Sequence, residues 1–91
     1  MAKTLEQLRE EIDRLDDQIL PLLNRRAALA VEIGRIKKAN GDPLHVPSRE
    51  RDVINRLTAA NRGPMTPDII GKIYKEIMAA ALAMEHQDDK A

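Results

Sequence analysis

The chain has no cysteine, tryptophan or phenylalanine, and Tyr74 is its only aromatic residue. Without cysteine there are no disulfides and no thiolate metal sites, which fits a reducing cytoplasm. Without aromatic platforms there is little for a nucleic-acid base to stack on. Fifteen basic residues cancel fifteen acidic ones, leaving no net charge. Such a domain has no field to gather nucleic acid or an anionic membrane. Long apolar runs are missing too: the longest, Ile77 to Met84, falls far short of the roughly 20 residues that span a bilayer. No charged-then-apolar signal segment opens the chain. These absences leave a soluble, cytoplasmic domain with a core of Leu, Ile, Val, Met and Ala, the composition of helices packed side by side.

Ninety-one residues suffice for one domain over 1–91 and not for two. The patterning predicts an all-α fold of three helices. Leu5, Leu8, Ile12, Leu15, Ile19, Leu22, Leu29, Ile33 and Ile36 recur in steps of three and four, so a long first helix is expected over about 4–39. Thr4 can cap its start, basic Arg35, Lys37 and Lys38 suit its end, and Asn40-Gly41-Asp42-Pro43 stops it. Pro21 lies inside and predicts a kink, with a full break as the alternative. A second helix is expected over about 48–61, starting at Ser48 and stopped by Asn61-Arg62-Gly63-Pro64. Thr66-Pro67-Asp68 then reads as cap, first-turn proline and first-turn acid, opening a third helix over about 66–86. A polar tail follows over about 86–91.

Helix length raises the question of partners. Thirty-six helical residues span about 54 Å, whereas a compact chain of this size is about 30 Å across. A small lone core is marginal in any case, since such a chain buries only about 60–65% of its unfolded surface. The first helix would overhang its own domain with Leu and Ile exposed, and the two shorter helices cannot cover it. The seam therefore calls for a second copy of the chain, a homodimer.

One seam position breaks the pattern. Arg26 occupies the slot between Leu22 and Leu29, and its neighbours one turn away are Leu22, Leu23, Leu29 and Ala30. A guanidinium in such a wall needs an anion, because an unpaired buried charge costs several kcal/mol. That anion is either an acid from another helix, such as Glu50 or Glu85, or a ligand; a polar residue that sets oligomer register is a further reading. Lys37 favours the ligand. It lies three turns on, about 20° around the axis and about 16 Å along it, so both cations can lean towards one small anionic molecule. Arg35 and Lys38 point away and read as solvated. Arg9 is about 25 Å from Arg26 on another face. Within one subunit the two cannot share a ligand; across an antiparallel dimer they could, which would make a composite site.

Arg49 and Glu50 open the second helix, where acids favour the helix dipole whether or not they serve a ligand. Glu85 closes the third, where its sign is opposite to the dipole's preference, and it reads as an exposed acid unless a site claims it. His45 and His86 flank loops or termini and read as exposed. There is no nucleophile–base pair, metal-ligand spacing or glycine-rich phosphate loop, and no cofactor is implied.

Four stretches, "LREEIDRLDDQI", "LLNRRAALAVEIGRIKK", "PSRERDVINRL" and "IYKEIMAAALAME", together resemble the all-helical class of chorismate mutases, in the same order and nearly end to end. The resemblance implies an intertwined dimer of three-helix subunits. It also implies a reaction, the pericyclic rearrangement of chorismate to prephenate on the route to phenylalanine and tyrosine. Position by position, it makes Arg26 the holder of one substrate carboxylate and Arg9, from the other subunit, the holder of the second. Lys37 would contact a carboxylate and the ether oxygen of the breaking bond. Arg49 and Glu50 would sit near the substrate hydroxyl, with Glu50 as acceptor, and Glu85 would donate to the ether oxygen. A carboxyl donates only when protonated, so either the pocket favours that form or activity improves as pH falls.

Two positions depart from the family pattern. Ala81 stands where relatives often have a serine that helps hold a carboxylate, and Val46 where some have an acid. The resemblance also allows fusion to a prephenate dehydratase. The alternative reading is a non-catalytic helical dimerisation or regulatory domain of a larger aromatic-biosynthesis protein. Such a scaffold needs the apolar seam but has no use for Arg9, Arg26, Lys37, Arg49 and Glu50 kept in register.

Overall fold

A computed structural model describes residues 2–88 of the chain. Three helices account for nearly all of it: α1 (Leu5–Asn40), α2 (Pro47–Ala60) and α3 (Pro67–Gln87). Residues 89–91 of the expected polar tail lie outside the described part.

The helix ends follow from local chemistry. Thr4 caps α1 by accepting from the Gln7 backbone N–H at 3.1 Å, and the Gln7 side chain accepts from the Thr4 N–H at 2.9 Å. This reciprocal box satisfies two of the donors that a helix start leaves orphaned. At the other end Gly41 takes the left-handed conformation, φ 74°, and its N–H reaches the carbonyls of Lys37 and Lys38. The Asp42 N–H closes the same turn on the Lys37 carbonyl at 2.8 Å. Thr66 caps α3 through the Ile69 N–H at 3.3 Å, with Pro67 at the first helical position.

The start of α2 falls within one residue of expectation. It begins at Pro47, one residue before Ser48, and the capping position is Val46. The Val46 carbonyl accepts from the N–H groups of Arg49 and Glu50, while its side chain can cap nothing. Proline's fixed φ sets the helix going without a polar cap. Val46→Asp is therefore expected to stabilise the fold by about 1 kcal/mol, read as a rise in Tm of about 4–8 °C.

Pro21 does not interrupt α1, which is helical throughout Leu5–Asn40. The proline removes one N–H from the ladder. One turn further on, Asn24 Nδ2 donates to the Leu20 carbonyl at 3.2 Å.

The third helix is the middle element, packed against α1 on one side and α2 on the other. The core is correspondingly thin: Val53 of α2, with Ile70, Met78 and Ala81 of α3, and Gly34 as the buried residue of α1. Where α3 ends, Arg35 grips Asp88 with two bonds, Nε–Oδ2 at 2.7 Å and Nη2–Oδ1 at 3.2 Å. Lys38 Nζ adds a bond to the Asp88 carbonyl at 3.2 Å. Neither cation is merely solvated, as spacing suggested; together they tie the last turn of α3 to α1. The hydrogen bond to Asp88 raises the pKa of Arg35 further, a group already charged at any pH a folded protein meets.

The outline is elongated, 59 × 27 × 15 Å with a radius of gyration of 16.6 Å, against about 12 Å for a compact chain of this length. The N-terminal half of α1 causes this. Along α1 the large apolar side chains from Leu5 to Ile36 remain between 37% and 64% exposed. Among the described residues, α2 and α3 leave this seam largely uncovered.

Candidate functional site

The main concavity is a cleft of about 510 Å³ where α1, α2 and α3 meet. Its floor and walls are largely apolar: Leu29, Ala30 and Ile33 from α1, Val53 from α2, Met78, Ala81 and Leu82 from α3, and Leu44 and Val46 from the connecting segment. Into this apolar frame project three cations and two carboxyl groups, Arg26, Lys37, Arg49, Glu50 and Glu85.

Each charged group arrives by a different local route. Arg26 and Lys37 share one face of α1 three turns apart, and both are half-buried. Lys37 is in the last turn, at the negative end of the helix dipole, where a cation is favoured. Its Nζ donates to the Leu44 carbonyl at 3.1 Å, so the segment joining α1 to α2 also holds the ammonium. Arg49 and Glu50 come from the first turn of α2, just after Pro47, and both line the cleft. Glu50 Oε2 lies 3.2 Å from His45 Nε2. The histidine is exposed, as expected, but it has a partner that the sequence did not suggest.

Glu85 is the surprise among the acids. Spacing alone left it exposed at a helix end, yet it is 7% exposed, the one buried charged residue among those described. It reaches the cleft because Gly34 lies opposite it on α1. A Cβ at Gly34 would stand 2.9 Å from Glu85 Cγ, closer than packed carbon atoms approach. Gly34 went unnoticed in the sequence. The signal available was weak: a single glycine within α1, which costs helix stability and so hints at a close neighbour.

Arg26 has no acid partner among the described residues, which removes Glu50 and Glu85 as structural counter-ions within the subunit. It lies between the cleft and a smaller cavity of about 220 Å³ bounded by Leu23, Ala27, Ile77, Ala80 and Met84. Ala81 lines both cavities, and its methyl group offers no hydrogen bond where a serine would. Arg9 is exposed on the overhanging half of α1 and lies outside the cleft of its own subunit.

The arrangement can bind a small anion with more than one acidic group. Cations set in an apolar cleft interact with it more strongly than they would at a flat surface. No helix among the described residues is long and apolar enough to cross a membrane.

Comparison with known proteins places these features in a lineage. The sequence family described as chorismate mutase type II matches residues 8–86. A bifunctional chorismate mutase/prephenate dehydratase of Aquifex aeolicus is 44% identical over 85 residues, covering 89% of this chain and 24% of that protein. The chain thus spans about a quarter of the length of this curated relative. Form II of chorismate mutase from Thermus thermophilus superposes with a TM-score of 0.90 at 40% identity, covering 97% of this chain and 100% of that one. Chorismate mutase from Helicobacter pylori, solved in complex with prephenate, superposes at 0.85 with 30% identity, covering 91% and 90%. The order of the four sequence stretches, the long first helix and the charged cleft between three helices have a common origin: the chain belongs to the type II chorismate mutase family.

Proposed function

We propose that the chain is a chorismate mutase, rearranging chorismate to prephenate without covalent intermediate, metal or cofactor. One observation carries this reading. Five charged residues from three separate helix segments, Arg26 and Lys37 singled out by their spacing and Arg49, Glu50 and Glu85 assigned by resemblance, line a single cleft. A scaffold or regulatory domain has no reason to gather them there.

The reaction suits such a site. Chorismate is a flexible dianion, and it reacts when its enolpyruvyl arm folds over the ring. One carbon–oxygen bond breaks as one carbon–carbon bond forms, and negative charge grows on the ether oxygen. The enzyme needs to hold the folded shape and stabilise that oxygen. Arg26 grips one carboxylate in the planar, bidentate manner of guanidinium groups. Lys37 places its ammonium at the ether oxygen, Glu50 accepts from the substrate hydroxyl beside Arg49, and protonated Glu85 donates to the ether oxygen. The walls set the cations Arg26, Lys37 and Arg49 where they can meet the two negative charges of the substrate. Ala81 cannot supply the hydroxyl found in relatives, so the arginines carry more of the carboxylate binding.

The working unit in this reading is a homodimer. The exposed seam of α1 finds its cover in the same seam of a second copy, since monomers rarely expose apolar patches of this extent. An antiparallel arrangement brings Arg9 of each subunit to the cleft of the other, completing the second carboxylate contact. The setting is the cytoplasm. In a longer gene product the domain would act beside a prephenate dehydratase, as the name of the Aquifex aeolicus relative indicates for that protein.

The test is loss of chorismate absorbance on adding purified protein, with pH–rate profiles for the parent and Glu85→Gln. The parent should turn over chorismate and lose activity as pH rises, because a carboxylate cannot donate. An amide donates at every pH, so the variant's profile should be flat over that range. No turnover by the parent would overturn the enzyme reading, and matching profiles would remove Glu85 as the donor.

A further inference from the structure

We propose that Gly34 is a positioning residue for Glu85: a notch in α1 that sets the depth and aim of the Glu85 carboxyl group. This rests on the role given above to Glu85. A Cβ built at Gly34 would meet Glu85 Cγ at 2.9 Å, Cβ at 3.0 Å and Oε1 at 3.2 Å. All three of its nearest contacts are thus to one side chain. Ordinary packing holds such atoms about 3.5–4.0 Å apart, so any side chain at position 34 must push Glu85 away.

No backbone requirement explains the glycine. Gly41 is the glycine with positive φ among the described residues, and Gly34 sits in regular helix where alanine is the better helix former. What the missing methyl provides is room. The Glu85 stem lies flat against α1, which is why the residue is almost wholly buried although its carboxyl reaches the cleft. Lys37 follows Gly34 by three residues, one turn on along the same face. Lys37 and Glu85 line the same cleft, and in the proposed reaction both serve the ether oxygen. A methyl group at position 34 would force a new Glu85 rotamer or separate α1 from α3 beside the reacting atoms.

Gly71 supplies an internal control. It lies within α3, and a Cβ there would have no neighbour within 4 Å. Gly71→Ala gains the same helix preference without meeting a neighbour in the subunit.

The experiment measures kcat, KM and Tm for the parent, Gly34→Ala, Glu85→Ala, the double variant and Gly71→Ala, with the Glu85 carboxyl carbon followed by NMR. Gly34→Ala should lower kcat at least tenfold with KM changed less than threefold, and should shift the Glu85 carboxyl resonance. On the Glu85→Ala background the same substitution should change kcat by less than twofold, because the group it displaces is gone. The double variant should also melt above Gly34→Ala, since the clash is relieved, and this arm survives if Gly34→Ala folds poorly. Gly71→Ala should raise Tm and leave kcat at the parental value. Parental kcat in Gly34→Ala, or an equal loss on both backgrounds, would overturn the positioning role. Parental kcat in Glu85→Ala would overturn the role of Glu85 itself, a failure distinguished by that single variant.

Discussion

Lys37→Ala is expected to reduce kcat by at least about 10²–10³-fold, the usual cost of losing one donor at a developing oxyanion. The ammonium is held from two sides, by its place in the last turn of α1 and by the Leu44 carbonyl at 3.1 Å. It therefore meets the substrate already aimed, without first being ordered from solvent. The end of α1 needs such a cation. Carbonyls at a helix C-terminus repel an anion, and a dianion entering there is tolerated only if positive charge outweighs them. KM should rise as well, by less than kcat falls, since the proposed role of Lys37 includes a contact to a carboxylate. Stability should fall by no more than about 1 kcal/mol, the contribution of one hydrogen bond to Leu44, a smaller effect than the loss of kcat. Steady-state kinetics with a melting curve on the same sample separate these effects. Turnover equal to the parent would remove Lys37 from the reaction.

The parts of this site that were legible in the sequence are those set by a single helix. Arg26 and Lys37 could be placed on one face by counting turns, and helix length alone showed that α1 outruns its own domain. The caps at Thr4, Gly41 and Thr66 were legible for the same reason, being local. The start of α2 fell one residue before Ser48, because Pro47 and the Val46 carbonyl set the turn. Arg49, Glu50 and Glu85 were not legible from periodicity, since which way they face depends on how α2 and α3 dock. Resemblance assigned them, and the packing of α3 between its neighbours brings them together. The Arg35–Asp88 pair links residues 53 positions apart, beyond any local pattern. Gly34 went unnoticed for a related reason, because its meaning lies in a side chain on another helix.

The overhang of α1 leads to the second large effect. Arg9→Ala and Lys37→Ala proteins, each nearly inactive alone, are expected to recover about a quarter of parental activity when unfolded and refolded together. Random pairing makes about half the dimers mixed, and each mixed dimer would hold one intact site out of two. The reasoning starts from geometry. Arg9 lies outside the cleft of its own subunit, about 25 Å along α1 from Arg26, so no side-chain movement brings it there. If it serves the reaction, it does so in the other subunit's cleft. A mixed dimer then combines Lys37 of one chain with Arg9 of the other in one site and concentrates both defects in the second. The apolar seam makes the exchange feasible only through unfolding, because each buried Leu or Ile contributes about 1.5–3 kcal/mol to the contact. Simple mixing of the folded proteins should therefore restore activity slowly or not at all. Sedimentation of the refolded mixture verifies that it is dimeric. A dimeric mixture without recovered activity would overturn the shared site, and full activity of Arg9→Ala alone would show that the second carboxylate is held by another group.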